Sequence, residues 1–379
     1  MHAMIGLSAA LYGALDVRNT GNTSLVQARR DLGAVFTGGA FVFGGGCTDT
    51  QNVYSCTSPS DSLDVFSSNA TRIPTLARLG EARGWPSACS SGGVAVFVGG
   101  GTVQKMPHSR TSDKVVVSPA TLQPHVTTTP DALSQGRWGT SCTSTEAKIY
   151  VAGGKVVGSK QSTSAAIDEY DIASDTWSLS ADQLSQGRES MGATTVAGSA
   201  LFAGGWAWIN GVPQSSAVLD VFAPGGSSPT TLTLPDAAFW MGAVALGDAA
   251  LIVGDSNLTV WRGGALSSSP LPSELVGKAK PAPSPDTGGG VPGAHVMGNG
   301  VVVSTAAGGV GCFYSWRPSA LYCYSPATDS WNSAPASAMH KGGAIVAAEG
   351  TVLVGGGYDD TSPSQAPTDV VDIFQVSVS

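Results

Sequence analysis

Short apolar runs recur along the chain, and most of them end in paired or triple glycine. They read Phe41-Val-Phe-Gly-Gly-Gly46, Val96-Phe-Val-Gly-Gly-Gly101, Ile149-Tyr-Val-Ala-Gly-Gly154, Leu201-Phe-Ala-Gly-Gly205, Leu251-Ile-Val-Gly254, Val303-Ser-Thr-Ala-Ala-Gly-Gly309 and Val352-Leu-Val-Gly-Gly-Gly357. Successive copies lie roughly 50 residues apart, a period that signals a repeat architecture and overrides any domain count taken from length. Upstream of each run sits a segment opened in four copies by Arg, at Arg30, Arg83, Arg137 and Arg188. Downstream sits an apolar segment that usually holds Asp, as in Leu63-Asp-Val-Phe66, Ile167-Asp-Glu-Tyr170, Leu219-Asp-Val-Phe222 and Val371-Asp-Ile-Phe374. Two copies then reach Asp175-Thr-Trp177 and Asp329-Ser-Trp331. The segments are short, rich in Val, Phe, Tyr and Ile, and bounded by Gly, Pro, Ser or Asn. They predict strands, and no long period of 3.6 residues competes with them. A small twisted sheet cannot bury both faces alone, so seven such units must pack around an axis.

A glycine pair after the second strand, an aromatic closing the third and a Trp on the fourth resemble the kelch repeat. The resemblance covers nearly the whole chain; copy five lacks the second Gly, and copy six interposes Ser-Thr-Ala-Ala. It implies an all-β, seven-bladed β-propeller of four-stranded antiparallel blades, but no single activity. The expected blades are 29–82, 83–136, 137–187, 188–238, 239–292, 293–338 and 339–379, in one domain spanning 1–379. Leu15-Asp-Val17 resembles an isolated third-strand segment, so residues 1–28 are expected to supply the outer strand of the last blade and cover an open edge. Rival readings make the apolar stretch from Ala3 to Leu15 a signal peptide, although it lacks a basic start, or start the chain inside a longer array. Residues 263–292, with six prolines, read as an insertion at the outer edge of blade five.

Composition narrows the function classes. The 379 residues include 50 Gly and 22 Pro, below the share of low-complexity chains, and the net charge is −8. An acidic chain without basic clusters argues against nucleic acid. No stretch reaches the ~18–20 apolar residues of a membrane-spanning helix. Among the six cysteines, Cys47 with Cys56 and Cys312 with Cys323 are candidate disulfides that clip loops; Cys89 and Cys142 are expected as small buried hydrophobes. The even count points to an oxidising compartment, extracellular or secretory-lumenal, with the cytoplasm as alternative. Sequons at Asn22, Asn69 and Asn257 are close to the number chance provides.

In an antiparallel blade the entry to strand one and the loop from strand two to three share a face. That face is expected to gather Arg30, Arg83, Arg137 and Arg188 with Trp85, Trp138, Trp240, His295, His340 and Lys341. The long loops add His108, Arg110, Trp206 and Trp208. A cationic, aromatic mouth suits a carboxylate, an acidic peptide or a glycan. The competing reading is that the arginines pin blades through carbonyls or carboxylates.

Enzyme-like relatives of kelch type resemble galactose oxidase, whose copper centre needs two His, two Tyr and a Cys cross-linked to one Tyr. With five His, no Tyr-His pair and no Tyr opening a first strand, that chemistry is not expected. Sialic acid epimerases of this type use an Arg/Glu/His set that Arg137, Arg188, Glu189 and His340 imitate without distinctive spacing. No zinc spacing, nucleophile elbow or phosphate loop occurs. The reading is a non-catalytic binding module for a protein, peptide or glycan partner, without cofactor or membrane insertion. The alternatives are a structural subunit of a larger assembly and a carbohydrate-active enzyme.

Overall fold

A computed structural model describes residues 14–50, 56–101, 108–156, 162–209, 212–224, 228–276, 300–305 and 308–378. The expectations for residues 1–13, for His295 and for most of the Pro-rich stretch lie outside the described residues. The chain is all-β: seven antiparallel blades of four strands form a β-propeller, with a small two-stranded ribbon, Lys155–Val156 with Ser162–Thr163, beside the third blade and a short extra strand in the fourth. The first six blades run in sequence order from the axis outward. Blade one, for example, consists of Gly33–Thr37, Ala40–Gly44, Leu63–Ser67 and Arg72–Ile73.

Seven clusters of buried side chains hold the ring, each shared by two neighbouring blades. Between blades one and two, Val42, Leu63 and Val65 meet Ala95, Phe97 and Val115. Both faces of these strands are covered, so Phe41, Phe43 and Phe97 are wholly buried. Burying one such side chain contributes ~1.5–3 kcal/mol. The ring closes through Leu15–Ser24, which pairs with Val370–Val378 as the outer strand of blade seven, Leu15 opposite Val378.

The glycine pairs explain how blades abut. Gly153 and Gly154 have φ of 67° and 97°, a region that favours glycine. Gly154 N–H donates to the Arg188 carbonyl of the next blade at 2.8 Å. A Cβ on Gly153 would lie 2.2 Å from that same oxygen. The pair is therefore a docking edge for the neighbouring blade.

Four sequence expectations about the fold need correction. Cys89 and Cys142 are bonded, because the innermost strands of blades two and three bring their Cα atoms to 6.1 Å. Cys47–Cys56 clips a loop, whereas Cys312 and Cys323 face each other across paired strands and join them directly. In blade six, Gly308 and Gly309 do not end a second strand; they begin one, Gly308–Trp316, after a first strand at Val301–Thr305. Within the stretch expected as an insertion from residue 263, Gly263 and Gly264, both at positive φ, turn the chain into Ala265–Pro270, the outer strand of blade five.

Candidate functional site

The arginines expected to line the mouth point inward. Arg83, Arg137 and Arg188 are fully buried, and each pairs with an Asp on the third strand of its own blade: Asp113, Asp168 and Asp220. Arg188 also donates to the carbonyls of Gly204 and Val218 at 2.7 and 2.9 Å. In blade one the equivalent residue is Arg29, which meets Asp64 at 2.5 Å; the adjacent Arg30 is buried against Asp31. His340 takes the same place in blade seven, beside Asp372. Each Asp also accepts the backbone N–H of the segment entering its blade, as with Ser134 on Asp168 at 2.9 Å. These groups lock strand one to strand three, because a buried charge needs both a partner and filled hydrogen-bond positions. They are not available to a ligand, so the cationic mouth is withdrawn for Arg30, Arg83, Arg137, Arg188 and His340.

What remains at the mouth is aromatic. Two residues after the inward-pointing side chain the backbone turns left-handed in five blades: Asp31, Trp85, Gly139, Ser190 and Gly342 have φ between 52° and 67°. These residues form a collar in which Trp85 N–H donates to the Asp31 carbonyl and Ser190 N–H to Gly139, both at 2.8 Å. A bulky aromatic at positive φ is an outlier that structures tolerate chiefly where the side chain is needed. Trp85 lies 5.2 Å from Trp138, and His108 meets Trp138 edge-on at 6.2 Å. The Lys155 ammonium sits 5.4 Å over the Trp138 ring. On blades four to six a second group runs Trp206, Phe239, Trp240 and Trp316, with successive centroids 4.8, 4.2 and 5.1 Å apart. Trp240 is 37% exposed, and Lys341 reaches over Trp316 and Tyr358. Trp206–Ile209 pairs back on Val212–Phe222 as a ribbon beside the mouth, carrying Trp208, whose backbone N–H donates to the Thr163 hydroxyl at 3.5 Å.

Carboxylates interrupt this surface. Burial pushes Asp31 up to about 6, against the opposing pull of Arg30, Trp85 and Lys341. Burial likewise pushes Glu189 up to about 7, with Lys155 opposing. Asp360 binds Arg317 at 2.7 Å and Lys341 at 3.2 Å. Among the described residues, cations and carboxylates thus stand side by side at the mouth. Two clefts of about 120 and 370 Å³ lie elsewhere, one lined by Tyr150, Glu169 and Phe222, the other by Pro74, Leu76 and Gln123.

Of the tryptophans expected on this face, Trp85 and Trp138 meet each other, Trp206 and Trp240 are joined through Phe239, and Trp208 lies on the ribbon. Phe239, Trp316 and Lys155 were not among the expected residues; the competing reading of the arginines, pinning through carbonyls and carboxylates, is the one found, with the carboxylate in the same blade and not in a neighbouring one or a loop. A signal for this pairing was present: Asp follows the buried cation by 35, 30, 31, 32 and 32 residues in blades one, two, three, four and seven.

No protein-family model matches the chain, and neither does any curated protein. Among solved structures, that of YjhT is similar, with a TM-score of 0.50 and 13% sequence identity over 64% of this chain and 84% of that one. At this identity the likeness speaks to the fold alone, a scaffold suited to a binding module or an enzyme.

Proposed function

We propose that the chain is a non-catalytic binding module of kelch type that takes a neutral glycan on its aromatic mouth. The observation that carries the reading is the distribution of tryptophan. Of nine in the chain, Trp85, Trp138, Trp206 and Trp240 stand at the mouth, Trp208 lies on the ribbon beside it, and the buried Trp316 backs Trp240. Indole rings give large, rigid contact area at small entropic cost, and hydroxylated sugar rings present an apolar face to stack on them. The juxtaposition of Lys155, Glu189, Asp31, Lys341 and Asp360 favours an uncharged partner over an acidic peptide, since the guanidinium groups such a peptide would need are engaged inside the blades. The pairing of all six cysteines supports an oxidising setting, outside the cell or in the secretory lumen.

The test is binding of a panel of neutral gluco-, manno-, galacto- and xylo-oligosaccharides, read by tryptophan fluorescence and calorimetry. At least one is expected to bind, and Trp138→Ala and Trp240→Ala are expected to weaken it roughly tenfold or more. Binding that survives both substitutions, or no binding by the native protein, contradicts the reading.

A further inference from the structure

Glu189 is 4% exposed, and its Oε2 atom is buried without a hydrogen-bond partner. Its backbone pairs with Trp206 at 2.8 and 2.9 Å, which fixes the side chain at the rim. Oε2 lies against the collar of blade three, 3.1 Å from where a Cβ on Gly139 would stand. The charge of Lys155 acts on this carboxylate, yet among the described residues no ion pair joins the two. Lys155 also acts on His108, whose Nδ1 is a second buried atom without a partner. A carboxylate, an ammonium and an imidazole nitrogen therefore surround Trp138 and Gly139 with hydrogen-bonding capacity unused.

The ring itself does not require an acid there. The equivalent position, one residue after the inward-pointing side chain, holds Arg30, Gly84, Trp138 and Lys341 in other blades, each bridged to the strand-end segment as Glu189 is. A buried, unpaired carboxyl lowers stability, so its presence calls for an explanation beyond packing.

We propose that Glu189 and Lys155 are the specificity-determining polar pair of the mouth, binding adjacent hydroxyls of a neutral sugar ring stacked on Trp138. Glu189 Oε2 accepts from one hydroxyl and the Lys155 ammonium donates to its neighbour. The inference rests on the glycan reading and deepens it. A hydroxyl-to-carboxylate bond is charge-assisted, so the ionised form of Glu189 holds the sugar better. The carboxyl, pushed up to about 7, changes charge near neutrality. His108, pushed down to about 4 by burial and then by Lys155, stays neutral across that window. Arg188, the preceding residue, is engaged with Asp220 and does not face the site.

The experiment measures calorimetric affinity for the best-bound neutral oligosaccharide of the panel at about pH 5.5 and about pH 8.5, on either side of neutrality. The native protein is expected to bind roughly tenfold more tightly at the higher pH. Glu189→Gln is expected to bind weakly and equally at both, and Lys155→Met to weaken binding at both. If Trp138→Ala abolishes binding while Glu189→Gln keeps native affinity and native pH dependence, this inference falls and the mouth reading stands. If the native protein binds no neutral oligosaccharide at either pH, both fall.

Discussion

His340 Nε2 lies 2.9 Å from Asp372 Oδ2, while its Nδ1 lies 2.7 Å from the Gly356 carbonyl. The imidazole thus bridges strand one to strand three in the place that the guanidinium holds in blades one to four. The pair sits in the blade that closes the ring, and Asn19 of the closing strand donates to the same carboxylate at 3.0 Å. Burial would raise Asp372, but bonds from His340, Ser337 and Asn19 prevail and hold it down at about 2. A carboxylate depressed in the fold contributes stability that is present above its unfolded value and is lost as pH falls through about 2. Asp372→Asn is therefore expected to destabilise at neutral pH by on the order of 3–5 kcal/mol and to remove part of the acid transition. Urea denaturation across pH checks both.

Arg137→Ala and Arg188→Ala each leave a buried Asp unpaired. Each is expected to cost on the order of 3–5 kcal/mol in denaturant unfolding. The molecules that remain folded should keep native oligosaccharide affinity, because neither guanidinium reaches the mouth. Loss of affinity at unchanged stability would return the arginines to the binding surface.

The Cys89–Cys142 bond closes a loop of 53 residues and ties two adjacent innermost strands. On the chain-entropy account such a loop is worth ~4 kcal/mol, more than either short-range bond. Replacing both residues by Ala is expected to lower the melting temperature more than replacing Cys312 and Cys323, whose separation is 11. Thiol titration of the unreduced, denatured native protein should find no free thiol among the six cysteines.

Glu189→Gln is expected to stabilise the fold at alkaline pH. The acid is raised in the folded state, so folding holds its proton more tightly than the unfolded chain does. Stability is unaffected below about 4.5 and declines as pH rises through about 7. The amide does not titrate, so the variant should match the native protein near pH 4 and exceed it near pH 8 by on the order of 2 kcal/mol. Equal unfolding midpoints near pH 8 would show that the carboxyl is not penalised by burial.

The blades were legible because strand alternation and glycine spacing are local properties that repeat. The direction of a side chain at a strand end is not local. Arg83 and Arg188 precede the collar by two residues, and only the Asp on the third strand decides that they turn inward. Blade six misled for a related reason: Gly308 and Gly309 carry the repeat's composition but occupy a hairpin at the other end of the sheet. Cys89 and Cys142 lie 53 residues apart in sequence, and their meeting depends on how closely blades approach the axis. Phe239 enters the aromatic surface through a bend, and Trp316 ends the strand Gly308–Trp316 that the misplaced glycine pair of blade six concealed. Trp85 and Trp138, by contrast, were found because they adjoin the repeated Arg.

The central claim is that a sugar lies on the aromatic mouth. Oxidative footprinting of tryptophan, resolved by mass spectrometry with and without the best-bound neutral oligosaccharide, tests it most directly. Trp85, Trp138, Trp206 and Trp240 should be protected, while Trp177 and Trp331, on the outer strands of blades three and six, should react as before. Protection confined to Trp177 or Trp331, or none at the mouth under saturating sugar, would contradict the account.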